Sequence, residues 1–392
     1  MESKFNDIRK TYFKGDYQIW LIVIILNCVG LVVQFSAKGR MVMDSAFDPI
    51  AGFAKTFVIW IISFFIISWF SKSNYLKLGR LSHLALLVSW VLILLAYLFG
   101  SAKGGASRWI EIGPISFMPS DMAKLALTAS LARDFSSRQT SDLKVYDLPY
   151  FIQMLLKIGI TCFLIMLSNF STSILVLLSS LVLMYFGRVP YSQIAKIIGG
   201  FIILGSAVVF LGIGQRAQTV KSRIINFVER SGDQQVSLDQ KIGEDYQIYR
   251  SLFAISTGGI SPKGPGKSQQ RYFLSQAESD FIFAIIIEEY GWVFGGICLP
   301  VVFLWFLYRG ARSVQYASKP FGGLLAAGLT SSIVFQAFVN MFVSVDAGPV
   351  TGQPMPLISA GGTSLLFTAI SIGLILSVSE DKNKFELNED KS

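Results

Sequence analysis

Apolar residues in this chain run in long stretches rather than alternate. Stretches able to cross a hydrocarbon layer about 30 Å thick recur along it, separated by short polar breaks. About ten are present by this criterion: Ile19 to Phe35, Phe53 to Phe70, Leu81 to Phe99, Met118 to Leu131, Tyr150 to Leu167, Thr172 to Phe186, Ile197 to Ile213, Phe281 to Leu307, Phe321 to Val345 and Leu357 to Val378. The pattern predicts an all-α polytopic membrane protein, with a tail at 1–18, a transmembrane domain at 19–378 and a second tail at 379–392. A large extracytoplasmic loop, 214–279, separates the seventh and eighth spans. The fourth and sixth stretches are short, and Asp121 and Lys124 interrupt the fourth, which suits a tilted or partly broken helix.

Composition supports this class: of 392 residues 52% are hydrophobic and only 15% charged. That balance excludes a soluble enzyme, a disulfide scaffold and a disordered chain. The net charge of +9 could suggest nucleic acid until its distribution is read. Cations gather in the N-terminal tail (Lys4, Arg9, Lys10, Lys14) and in alternate connections (Lys72, Lys77, Arg80; Arg133, Arg138, Lys144; Arg188, Lys196; Arg309, Arg312, Lys319). The intervening short loops carry only Lys38, Arg40, Lys103 and Arg108. Short basic loops stay cytoplasmic, so both termini are expected inside, the large loop outside, and no nucleic-acid partner.

Candidate chemistry is restricted. Cys28, Cys162 and Cys298 fall inside spans, where cysteine behaves as a small apolar residue. His83, the one histidine, starts the third span on the cytoplasmic side, which leaves carboxylates, hydroxyls, amides and cations for outer-face chemistry. In the large loop, Val220, Ile224, Ile225, Phe227 and Val228 fit one apolar helical face, as do Tyr246, Tyr249, Leu252 and Phe253, with a polar stretch from Ser231 to Gln240 between them. The segment Thr257 to Lys267 follows; it reads either as a turn-rich linker or as a ligand-approaching loop whose Lys263 and Lys267 supply positive charge. Asp280, at the head of the eighth span, is either a helix cap or a general base at the membrane boundary. Glu288 and Glu289 lie about 12 Å further along that helix, a depth at which at least one should meet a cation or a backbone donor. Asp121 and Lys124, one turn apart, are either a structural ion pair or part of a site. Arg108-Trp109 places a guanidinium beside an interfacial indole, an arrangement that suits a phosphate-bearing headgroup or an interface anchor. Gly348 to Pro356, with three prolines, looks like a re-entrant cavity wall.

Three segments resemble the FtsW/RodA/SpoVE family of shape, elongation, division and sporulation proteins. Gly105-Ala106-Ser107-Arg108-Trp109-Ile110 with Phe117-Met118-Pro119-Ser120-Asp121-Met122-Ala123-Lys124 is similar to the family's G-A-x-R-W-I and F-Q-P-S-E-x-A-K. Ser279-Asp280-Phe281-Ile282-Phe283-Ala284 with Glu288-Glu289-Tyr290-Gly291 is similar to T-D-F-I-F-A and E-E-x-G. Pro349 to Ser364, including Thr351 and Ser359, is similar to P-V-T-G-x-P-L-P-F-I-S-Y-G-G-S-S. Gly264 to Gln270 is closer to the division branch, FtsW.

The resemblance implies ten transmembrane helices and a peptidoglycan glycosyltransferase that polymerises lipid II at the outer face of the bacterial cytoplasmic membrane, during septal wall synthesis. It maps the essential carboxylate to Asp280; the candidate substrate-binding residues read alongside it are Arg108, Lys124, Lys263, Lys267, Ser279, Glu288, Thr351 and Ser359. A divalent cation, Mg or Mn, is a candidate helper whose ligands are unknown. A class B penicillin-binding protein transpeptidase and other divisome proteins are the implied partners. Two departures stand out. Ser275-Gln276-Ala277-Glu278-Ser279-Asp280 replaces P-E-A-H-T-D, and Ser168-Asn169-Phe170-Ser171-Thr172 replaces P-D-x-G-T, removing a second outer-face carboxylate. The rival readings are a lipid II flippase and a non-catalytic divisome scaffold.

Overall fold

A computed structural model describes residues 13–38, 49–103, 106–112, 115–139, 148–213, 217–231, 244–274, 277–359 and 362–389. Outside them lie Lys4, Arg9, Lys10, Arg40, Gly105, Lys144, Ser275, Gln276, Ala360, Gly361 and the polar stretch after Ser231. The helices in chain order are α1 Tyr17–Lys38, α2 Pro49–Lys72, α3 Tyr75–Phe99, α4 Pro119–Gln139, α5 Leu148–Met166, α6 Phe170–Phe186, α7 Tyr191–Phe210, α8 Ala217–Ser231, α9 Glu244–Gly258, α10 Ile282–Gly291, α11 Leu299–Gln315, α12 Pro320–Ser344 and α13 Thr363–Glu389. Every apolar stretch read from the sequence lies largely in helix. Among the described residues seven segments are long and apolar enough to cross a membrane, Ile282–Gln315 counting as one, and Thr56–Lys72 and Phe170–Phe186 are shorter apolar helices. The paired helices of the large loop are α8 and α9.

Sequence sets several boundaries. Asn74 caps α3 by accepting from the Leu76 amide, and Asn169 caps α6 by accepting from the Thr172 amide. Pro320 opens α12, where a missing amide hydrogen leaves no helical bond unmade. On the outside of the bundle Phe65, Trp69, Leu98, Phe99, Ile203 and Phe210 are 67–90% exposed. Water would not favour so large an apolar surface, whereas lipid covers it. The chain is a multi-pass membrane protein.

The bundle centres on α12, which packs against α4, α6, α11 and α13. Small residues make the approach possible: a Cβ at Gly328 would lie 2.7 Å from Thr128 Cγ2 and 2.9 Å from Leu183 Cδ2. At one end, Gly15 N donates to Glu380 Oε2 at 2.7 Å, Asp16 N donates to Ser379 Oγ at 2.9 Å, and Asp16 pairs with Arg309. The start of α1, the far part of α13 and the middle of α11 are thereby tied together.

Helical periodicity did not reveal one element. Residues between α3 and α4 form a three-stranded antiparallel ribbon, β1 Ser101–Lys103, β2 Ala106–Ile112 and β3 Ile115–Phe117. In it Ser107 faces Ala102, and Ile110 faces Phe117. A β-ribbon pairs most backbone groups of a short connection within itself, which suits a segment pressed against the bundle end. Thr363 Oγ1 at the start of α13 donates to Ser116 O at 3.0 Å and holds the ribbon down.

The eighth span is broken. Gly291 has φ +77°, a conformation that side-chain-bearing residues rarely adopt, and a π-helical turn, Trp292–Cys298, links α10 to α11. The backbone groups at the break are taken up by the glycine-rich loop. Trp292 N donates to Gly259 O at 2.9 Å, and Gly264 N donates to Glu289 O at 2.9 Å. Broken helices are tolerated within a membrane where neighbouring protein supplies such partners.

Candidate active site

A cavity of about 700 Å³ opens at the ribbon end of the bundle. Most of its wall comes from five regions: β2 and β3 with the start of α4 (Arg108, Trp109, Ser116, Met118, Asp121), the start of α6 (Ser168 to Ser171), α8 (Thr219, Val220, Arg223, Ile224), the segment before α10 (Ser279, Asp280) and the connection before α13 (Pro349 to Pro354), with Gln247 of α9, Gln336 of α12 and Ser364 of α13 also bordering it. The proline-rich connection is therefore a cavity wall, as expected. The face of α8 read from sequence as interfacial is partly a cavity wall, since Val220 and Ile224 border the pocket.

Asp280 is half-buried on this wall. The cap position of α10 belongs to Phe281, not Asp280, so the helix-cap reading does not hold. Ser279 Oγ donates to Asp280 Oδ1 at 2.8 Å, and Asp280 Oδ2 lies 3.6 Å from where a Cβ at Gly352 would stand. The backbone here is fixed from below. Asn340 Nδ2, on α12, reaches Asp280 O at 3.1 Å, Ser279 O at 3.3 Å and Gln353 O at 2.8 Å. Ser359 Oγ donates to Ser279 O at 3.0 Å and accepts from Met355 N at 2.8 Å. Ser359 thus braces the segment carrying Asp280 without bordering the cavity, whereas Thr351 borders it.

Among the described residues bordering the cavity, the cations are Arg108 and Arg223 and the carboxylates are Asp121 and Asp280. Lys124 sits behind the wall, its Nζ 2.9 Å from Asp121 Oδ1 and 3.0 Å from Gln336 Oε1. Gln336 in turn donates to Pro354 O at 2.9 Å, so the ion pair connects the floor to the proline-rich wall. Asp121 Oδ2 is buried with no hydrogen-bond partner.

Lys263, Lys267 and Glu288 are not among the cavity's lining residues. Glu288 is 1% exposed and accepts from Ser268 Oγ and from the amides of Gln269 at 3.1 Å and Gln270 at 3.3 Å, with Lys263 Nζ 3.5 Å away. Its neighbour Glu289 accepts from Ser268 N at 3.2 Å and from Ser36 Oγ, and Arg271 Nη1 reaches Ser36 O at 3.0 Å. The two buried carboxylates clasp the glycine-rich loop to α10 and α1. They meet the cation and backbone donors that their depth demanded, and the loop's turns serve this clasp.

Several residues in or behind the cavity wall were not singled out from the sequence. Arg223 sits in an otherwise ordinary amphipathic helix, and Gln336, Asn340 and Gln353 are amides on or beside apolar spans. Polar residues within apolar runs are the cue that could have found Gln336 and Asn340.

A family described as cell cycle protein, FtsW/RodA/SpoVE, matches residues 16–384. The chain belongs to this family. Among relatives, it is 30% identical to a protein of Haemophilus influenzae named probable peptidoglycan glycosyltransferase FtsW, over 94% of this chain and 91% of that one. It is also 30% identical to stage V sporulation protein E of Bacillus subtilis, over 93% and 96%. Among solved structures, one described as a peptidoglycan synthase complex coordinating polymerization and crosslinking aligns with TM-score 0.73 at 22% identity, covering 95% of this chain and 99% of that one. The Thermus thermophilus rod shape determining protein RodA aligns with TM-score 0.67 at 22% identity, covering 95% and 98%. These structures share the FtsW/RodA/SpoVE fold.

Proposed function

We propose that this chain is a peptidoglycan glycosyltransferase that polymerises lipid II, with Asp280 as general base. The observation that carries the reading is the Asp280 carboxylate on the wall of a roughly 700 Å³ cavity that also presents Arg108, in a chain similar over most of its length to proteins bearing that name. Asp280 takes the proton from the acceptor sugar's 4-hydroxyl as that oxygen attacks the donor's anomeric carbon. The bond from that carbon to the diphosphate oxygen breaks, the lipid diphosphate leaves, and the configuration inverts. Arg108 supplies charge for a diphosphate. The roles of Lys124, Ser359 and Glu288 are positional: Lys124 neutralises Asp121, Ser359 braces Ser279, and Glu288 holds the loop that carries Lys263 and Lys267.

Among the described residues no group of three or more His, Cys, Asp or Glu forms a ready-made metal site, so a divalent cation such as Mg or Mn would be held by Asp280 or Asp121 together with substrate phosphates. Asp280 and Asp121 border one cavity, Asp121 Oδ2 has no partner, and one or two carboxylates plus substrate phosphates suffice for such an ion. When bound it would add positive charge at the leaving diphosphate.

The proposed setting is the bacterial cytoplasmic membrane at the division septum, with both termini inside and the cavity facing out. The proposed partner is a class B penicillin-binding protein, a reading supported by the similar structure described as coordinating polymerization and crosslinking.

Purified protein incubated with labelled lipid II tests the activity. Wild type should form polymer and Asp280→Asn should be slower by about 10²-fold or more, with the same unfolding temperature. Wild-type polymerisation retained by a normally folded Asp280→Asn protein would remove Asp280 from the base role.

A further inference from the structure

The start of α6 opens into the cavity, and it is built to receive an anion. Helix N-termini carry amides without intrahelical partners and the positive end of the helix dipole. Here the Thr172 amide is used by the Asn169 cap, which leaves those of Phe170 and Ser171, both on the cavity wall, without an intrahelical acceptor. A second observation does not depend on the helix dipole or on the backbone amides. Asn169 is 5% exposed, borders the cavity, and its Nδ2 has no hydrogen-bond partner. Its orientation is settled by chemistry, because Oδ1 accepts from Thr172 N at 3.2 Å and lies 3.5 Å from Gln353 Nε2. The amide hydrogens of Nδ2 are therefore a buried donor awaiting an acceptor.

This site is linked to the base. The Gln353 side chain donates to Thr172 Oγ1 at 2.8 Å, while the Gln353 carbonyl is bound by Asn340, which also binds Asp280 O. Arg223 of α8 adds a guanidinium to the same cavity.

We propose that the N-terminus of α6, with Asn169 Nδ2 and Arg223, holds the leaving lipid diphosphate. This rests on the glycosyltransferase reading for the identity of the ligand. In that reaction negative charge develops on the diphosphate oxygen as the glycosidic carbon departs, and a preorganised dipole with buried donors stabilises charge at the point where it appears.

Asn169→Asp is the discriminating variant. Aspartate caps a helix as well as asparagine does, so the unfolding temperature should stay put, while a carboxylate now faces the anion. Binding of a fifteen-carbon isoprenyl diphosphate to detergent-purified full-length protein, measured in EDTA, should weaken about tenfold or more. Arg223→Gln, outside the cap, should weaken it in the same direction. Binding of the corresponding isoprenyl alcohol should be unchanged in both. Diphosphate affinity within twofold of wild type in both variants, or equal loss for diphosphate and alcohol, overturns the proposal. Lipid II polymerisation measured alongside separates the two readings. A wild type that binds the diphosphate yet makes no polymer refutes the glycosyltransferase, whereas a polymerising wild type whose variants bind normally refutes only the α6 site.

Discussion

Asp280 owes its position to Asn340 more than to its own helix. One amide on α12 binds the carbonyls of Ser279, Asp280 and Gln353, so Asp280 and the Thr351–Pro354 wall share a single anchor. Asn340 is 1% exposed, and replacing it with leucine would leave those carbonyls short of a donor, at about 1–3 kcal/mol for each group that finds no new partner. Asn340→Leu should lower kcat for lipid II polymerisation about tenfold or more through misplacement of Asp280. Retention of wild-type kcat in that variant would show that the anchor is dispensable. Asp280 itself was legible from sequence as a candidate, because it heads an apolar run and falls on the carboxylate of the family motif. Its choice between cap and base was not, since both readings share the same position in the chain.

At the scale of elements, the broken eighth span and the glycine-rich loop form one unit. Gly291 cannot exchange for alanine without strain: its φ is +77°, and a Cβ would stand 2.8 Å from Ile260 O. Gly291→Ala should destabilise the fold by about 1–3 kcal/mol, read as an earlier thermal unfolding midpoint in detergent. Glu288→Gln keeps the size of the side chain but removes the charge that gathers Ser268, Gln269, Gln270 and Lys263. Amide hydrogen exchange across 259–271 should then speed up, with little change across α12. Unchanged exchange in that loop would show that the carboxylate does not hold it. Sequence reading placed both glutamates at depth and required a partner for at least one, and it named the loop's lysines as candidate substrate contacts; Lys263 Nζ lies 3.5 Å from Glu288 and neither lysine borders the cavity. The loop's partner is twenty residues away in the chain and adjacent only because α10 turns back past it.

At the scale of the molecule, Asp16, Arg309, Ser379 and Glu380 tie both ends of the bundle's chain to α11, opposite in sequence to the cavity elements. About fifteen residues of α13 separate Ser364, on the cavity wall, from Ser379, roughly 22 Å at 1.5 Å per residue, which approaches a hydrocarbon thickness. The Asp16 and Arg309 side chains are 11% and 10% exposed, and breaking a buried pair from one side leaves an uncompensated charge. Arg309→Met should therefore lower stability by about 3–5 kcal/mol, and Asp16→Asn combined with it should recover part of that loss in a double-mutant cycle. Membrane class, the helical stretches, the family motifs and the candidate carboxylate were set by the sequence alone, because burial in lipid demands long apolar runs and those are local properties of the chain. The β-ribbon, the clasp of Glu288 and Glu289, the Asn340 anchor and the amide donor at α6 were decided by tertiary structure. Each depends on which polar groups meet across the bundle, and in an apolar interior that meeting is fixed by packing between segments distant in sequence.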